Sequence, residues 1–315
     1  MKYIVLFFLS ITTLWAQDTT TTKRHHYKVW IKPSLSINYL AVDIEDAPIN
    51  KDLKNKTILP NYPLTMGLGL GVHNTYVNLD YARGLMPLRN ENKYGKTSYF
   101  DFQIHSFISN KFLLDIYYQS YKGFYYENGQ NIHLLKDARV QQIGSEFLYF
   151  TKWRETSLKN IFNPEGNQLK PLFSFYVGGG VFYHKLSLPL IDPDRTDDFK
   201  HIQAGLSGGI ANLWQIAPNL TFSGLVGLGF YFGGETAPIS KMKINQYVNF
   251  RYNIALTYKI KNSTIDFSIL HNNKRVYFNN SDLVSIKNST FRISFTQQLN
   301  VTTRHNNKVM RFLGM

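Results

Sequence analysis

The chain has 315 residues, with Lys+Arg 35 against Asp+Glu 21, a net charge of +14 and no cysteine. Absence of Cys excludes a disulfide scaffold, an iron–sulfur site and thiol catalysis. Aromatic content of 15% with only 18% charged residues is not the composition of a disordered chain.

Met1-Lys2 supplies a positive charge, Tyr3 to Leu9 is almost wholly apolar, and Ala16 precedes Gln17-Asp18 and a run of threonines. This pattern predicts a secretory signal peptide over 1–16, cleaved between Ala16 and Gln17. A short periplasmic segment, 17–27, would follow. No Cys follows the apolar stretch, so lipid anchoring through a cysteine is excluded. No later run reaches about 18 consecutive apolar residues, so a helical membrane protein is excluded. In lipid, only helices and closed barrels satisfy their backbone groups.

From residue 28 to 299 the pattern has period two. In chain order, twelve strands are predicted, centred on Ser36, Leu68, Leu79, Gln103, Ile116, Ser145, Val177, Leu206, Leu225, Asn253, Phe267 and Ser294. Strict alternation over about ten residues argues strand and not helix. About nine to eleven residues also suffice for a tilted strand to cross a bilayer. One face is Leu, Ile, Val, Phe and Tyr. The other is small and polar, as in Thr65, Gly67, Gly69 and Gly71. A soluble barrel would carry Lys and Glu on its polar face, whereas a membrane barrel has an apolar exterior and a polar lumen. Strands ending in Tyr39, Tyr149-Phe150, Tyr183 and Tyr258 fit interfacial aromatic girdles. The expected fold is therefore all-β, a transmembrane antiparallel up-and-down barrel of about twelve strands, with a polar tail over 300–315.

Long and short links alternate. Short ones fall at His73-Asn74, Ser109–Lys111, Leu213–Asn219 and Lys259–Asn262, as periplasmic turns do. The link 151–170 breaks this rule and would leave room for an extra strand near Glu155–Phe162.

Three stretches resemble a known family: TSYFDFQIHSFISNKFLLDIYYQSYKGFYYEN from Thr97, NPEGNQLKPLFSFYVGGG from Asn163 and IAPNLTFSGLVGLG from Ile216. They are similar to the Bacteroidota proteins grouped as domain of unknown function 4421 (DUF4421). The KGFYYEN piece is the most specific. The resemblance implies an exported outer-membrane barrel and brings no activity, ligand or cofactor.

On this topology, ten basic residues but only Glu155 and Glu165 fall on the short turns, the 151–170 link and the tail. That periplasmic side would meet lipid phosphates or dock an acidic periplasmic partner. Expected partners are outer-membrane lipid and the barrel-assembly machinery. An exported chain does not meet nucleic acid.

The inward face carries few ionisable groups. Asp266 is expected between Arg251 and Arg292, an arrangement in which a guanidinium can satisfy a carboxylate bidentately. His105 is expected close to Asp115, with Asp101 on the same face. Such groups would stiffen and partly fill the lumen, or form a constriction selecting solutes by charge.

Catalytic and metal patterns are weak. His105 and Ser106 are adjacent and point to opposite faces. His271 has no hydroxyl two residues on, and Ser268 lies on its opposite face. A lipid-modifying hydrolase would need a Ser–His pair made by different strands at the lipid-facing rim. His25-His26 lacks a second ligand pair, and Gly178-Gly179-Gly180 is no phosphate loop because no helix follows. No cofactor is expected. The function expected is that of a non-enzymatic outer-membrane barrel, either a narrow pore or a structural or binding barrel with outer loops. The alternatives are a membrane-embedded lipid-modifying hydrolase and a soluble periplasmic β-barrel binding protein.

Overall fold

The computed structural model describes residues 25–45, 53–61, 64–72, 75–83, 87, 89–109, 111–152, 170–192, 195–236, 245–278 and 282–303. The cleavage residues Ala16 and Gln17, the possible strand at Glu155–Phe162 and the end of the tail lie outside them. Lys28–Leu299 form one compact unit. Met1–Tyr27 with Asn300–Met315 form a second, of which only strand ends are described.

The strands are β1 (His25–Ile44), β2 (Lys56–Ile58), β3 (Leu64–Val72), β4 (Thr75–Arg83), β5 (Ser98–Ser109), β6 (Phe112–Asn128), β7 (Asn131–Phe150), β8 (Leu172–Asp192), β9 (Arg195–Ala217), β10 (Leu220–Glu235), β11 (Asn245–Ile260), β12 (Ser263–Phe278) and β13 (Asp282–Thr303). Apart from β2, each pairs antiparallel with its sequence neighbours, and β13 pairs with β1. The twelve long strands close a barrel, which removes every long sheet edge. Each contains one of the twelve expected centres. The three-residue β2 is additional.

The two faces sort as the alternation predicts. On β8, Phe173, Phe175, Val177 and Val181 are exposed, while Leu172, Ser174, Tyr176, Phe182 and His184 are buried. On β13, Phe291, Ile293 and Phe295 point out, while Thr290, Ser294 and Thr296 are buried inside. The exterior thus carries a continuous apolar belt, and water would strongly disfavour so large an exposed apolar surface. It is the exterior of a membrane-spanning barrel. No helix among the described residues is long and apolar enough to cross a membrane; strands are the crossing elements.

Tight turns fix the registers. At the β11–β12 hairpin, Ile260 pairs with Ser263 across a two-residue turn in which Lys261 has φ 53. The KGFYYEN motif has a physical reason at Gly123, where β6 shifts register between Lys122 and Phe124. Gly123 has φ 88, and a Cβ there would collide with the Lys96 carbonyl. Only glycine suits that backbone.

Candidate functional site

The barrel interior is layered. At the long-loop end, Leu40, Val42, Tyr99, Tyr121, Val140, Leu186, Phe199, Val276 and Ile286 form a buried apolar cluster drawn from strands around the wall. Leu53 and Ile58, from the β1–β3 connection, complete it from above. That connection runs across the mouth. Ile58 pairs with Val42 on β1, and Leu59 forms a bridge with Tyr125 on β6. At the short-turn end a second buried cluster contains Phe107, Leu113, Leu148, Phe150, Leu172, Tyr176, Ala211, Leu213 and Leu225.

Between these layers the lumen is polar, and bonds cross it from wall to wall. Arg251 on β11 forms an ion pair with Glu146 on β7, whose other oxygen accepts from Ser207 Oγ at 2.8 Å. Asn288 on β13 donates to Gln119 Oε1 on β6 at 3.1 Å. The Arg251 guanidinium also lies 5.5 Å from the Tyr176 ring centroid. Gly227 leaves the space for that ring, since a Cβ there would overlap the Tyr176 hydroxyl. Lys274 is buried with its Nζ 3.6 Å from the Phe182 ring centroid and 4.4 Å from that of Tyr117. Cation–π contact of this kind favours a desolvated ammonium.

The expected charge cluster is only partly assembled. His105 Nδ1 lies 2.8 Å from Asp115 Oδ1. Asp101 accepts from Tyr99 and Gln103, both at 2.7 Å, and from Gln119 at 3.2 Å. Asp266 does not sit between two arginines. It accepts from Thr257 at 2.7 Å, Ser294 at 3.3 Å and Thr296 at 3.3 Å, with Lys32 Nζ at 3.7 Å. The turn at Lys261 sets this outcome: it pairs Asp266 with Thr257 and places Arg251 opposite Asn272, further up the wall. Arg292 lies opposite Ser268, one inward position from Ser294. Arg251 therefore meets Glu146 across the lumen instead. Lys32 and Lys274 also face inward, although the sequence reading did not count them among the inward ionisable groups. Their partners come from strands that are not neighbours.

Among the cavities inside the barrel, one has a volume of about 110 Å³ and another about 100 Å³. The first is lined by Lys32, Asp266 and Arg292 among others, the second by Asp115, Arg251 and Asn288. No group of three or more metal-ligating side chains occurs among the described residues.

A different pair stands on the exterior. His271 Nδ1 on β12 lies 2.7 Å from Ser289 Oγ on β13. The two are register partners. Sequence reasoning searched for a hydroxyl along the strand of His271 and missed Ser289. The sequence pattern reads as a link around these positions, whereas β12 and β13 run on through them to pair up to Phe278 and Asp282.

The family model described as "Domain of unknown function (DUF4421)" matches residues 16–297. The chain belongs to this family. No curated protein matches the DUF4421 chain. Among solved structures it is similar to the β domain of the Bordetella autotransporter BrkA at 9% identity. That match covers 87% of this chain and 99% of that one, with a TM-score of 0.41. It is also similar to the COG4313 outer membrane channel of Pseudomonas putida F1, at 7% identity over 90% and 100% of the two chains and a TM-score of 0.37. The outer membrane protease OmpT of Escherichia coli matches at 6% identity over 90% and 100%, with a TM-score of 0.34. These likenesses carry no information on what the DUF4421 chain does.

Proposed function

We propose that this chain is an outer-membrane barrel with its long loops outside the cell and a lumen closed to bulk solute. Its function then resides on the rim and loops rather than in conduction. One observation carries this reading: the lumen is spanned by the Arg251–Glu146 and Asn288–Gln119 contacts, with buried apolar clusters towards both ends. About eight strands are filled by side chains, whereas 16 to 18 leave a water channel. Twelve strands with large aromatic residues inside behave as the smaller class. The exposed apolar belt argues against the soluble periplasmic alternative, and its outer-membrane setting accords with the export signal read at 1–16. The turn side, with Lys111, Lys259 and Lys261, would face lipid phosphates or an acidic periplasmic partner.

The test is electrophoresis of washed outer membranes with and without boiling, followed by planar-bilayer recording of the purified barrel. The expected result is a heat-dependent mobility shift and no steady conductance. A stable open channel would overturn the closed-lumen reading. Release by buffer with no shift would overturn the membrane reading.

A further inference from the structure

His271 and Ser289 both face away from the lumen. They share the parity of the exposed Phe267 and Ile269 on β12 and of Phe291 and Ile293 on β13. The inward positions that flank Ser289, Asn288 and Thr290, are buried, as is Lys274 further along β12. On β12 and β13 the pair stands where the belt ends, with Ile269 and Phe291 on its apolar side and Asn273 and Lys287 on its polar side, while on β11 the exposed Phe250 opposite Asn273 carries the belt further. That border is at the long-loop end. In the outward orientation it is the outer-leaflet interface, the depth at which lipid acyl chains join their polar heads.

The pair is held in place. His271 stacks on Tyr252, its register partner on β11, with centroids 5.1 Å apart and 20° between planes. Asn273 accepts from Ser285 Oγ at 3.0 Å, and Lys287 is anchored to Asp43 at 2.7 Å. A hydroxyl hydrogen-bonded to an imidazole at this distance is the arrangement that activates a serine nucleophile.

The geometry points to a Ser289–His271 nucleophile–base pair that cleaves acyl esters of outer-leaflet lipid, an inference that rests on the outer-membrane reading above. Ser289 Oγ attacks the ester carbonyl carbon as its proton passes to His271 Nδ1. The ester C–O bond breaks, and the imidazolium returns the proton to the departing alkoxide, leaving acyl-Ser289 and a deacylated lipid. Water, giving its proton to the same nitrogen, then attacks the acyl carbonyl. Fatty acid leaves and Ser289 recovers its hydrogen. Water is the only co-reactant. The Asn273 amide and the Lys287 ammonium occupy the next outward positions, where a donor stabilises the oxyanion formed in both steps. Substrate would arrive laterally through the membrane, so no internal pocket is needed.

The experiment uses the full-length barrel folded into vesicles, one set of diacyl phospholipid and one containing lipopolysaccharide. Released fatty acid is measured in each. A fluorophosphonate probe is applied in parallel, and the labelled peptide is mapped. Fatty acid release and a label on Ser289 are expected. Ser289→Ala and His271→Asn should each reduce release by about 10³-fold while keeping the heat-dependent mobility shift. Release in the first set alone identifies phospholipid as the ester source, and release in the second alone identifies lipopolysaccharide. A barrel that shows the shift but releases no fatty acid and takes no label overturns the pair and leaves the membrane reading intact. Release unchanged in Ser289→Ala also overturns it. Loss of the shift in the wild-type chain overturns the membrane reading instead.

Discussion

Leu59 and Tyr125 exchange both of their backbone hydrogen bonds at 2.8 Å, although β3, β4 and β5 separate β1 from β6 in the wall. The segment 53–61 is therefore a strap across the mouth. Asn61 extends it, its backbone N–H donating to Thr97 Oγ1 at 2.8 Å and its side-chain amide to the Gly95 carbonyl at 2.7 Å. Arg89 Nη1 donates to the Tyr125 hydroxyl at 2.6 Å. Burial there pushes the Tyr125 phenol up to about 12 despite that cation.

Ile58, within this strap, is fully buried. Ile58→Ala should destabilise the mouth by about 2–4 kcal/mol, the cost of a core cavity. Faster amide exchange at Leu59 and Tyr125, with the belt strands unchanged, would be the signature. The Arg251–Glu146 and Asn288–Gln119 contacts across the lumen should still keep the barrel non-conducting.

Gly123→Ala should cost roughly 1–3 kcal/mol, because the strained backbone and the Lys96 carbonyl both oppose a Cβ. Urea unfolding of the lipid-embedded barrel measures this. Gly129 also has positive φ, but a Cβ there meets nothing within 4 Å. Gly129→Ala should therefore cost less, from backbone strain alone.

Removing one member of the Arg251–Glu146 pair leaves the other charge buried. Glu146→Gln should cost about 3–5 kcal/mol, whereas the double variant Glu146→Gln with Arg251→Leu should recover much of it. A double-mutant cycle on unfolding free energies decides. Additive losses would show that the two side chains do not interact.

Beyond the belt, Asp198 accepts from Ser187 Oγ at 2.6 Å and pairs with Lys185 at 2.7 Å, and these bonds hold its carboxyl below the usual 3.8. A depressed folded value means the stabilisation is present above the unfolded value and is lost as pH falls through the folded one. The outer ends of β8 and β9 should therefore exchange amides faster as pH drops below about 3.8. Lys185→Ala should move the onset towards higher pH. The effect is small because Asp198 is half exposed and its ion pair is screened.

The barrel was legible because the period-two pattern needs only single residues: Phe173, Phe175 and Val177 point out whatever their neighbours do. His105 and Asp115 sit on strands joined by a short turn, so their approach followed from counting. Contacts between distant strands did not. Glu146 finds Arg251 across three intervening strands, and Ser289 finds His271 in a stretch where the alternation reads as a link but the two strands continue to Phe278 and Asp282. The strap escaped because β2 is only three residues long, below the length at which alternation can be read.

The strap also constrains the order of assembly. Its bridge joins residues 66 positions apart, Leu59 and Tyr125, so it can form only once β6 stands in the wall. Sealing of the mouth is thus scheduled after the first half of the barrel is built. Until then Leu53, Ile58 and the apolar tops of β1, β5 and β6 are open to solvent or to whatever escorts the growing sheet.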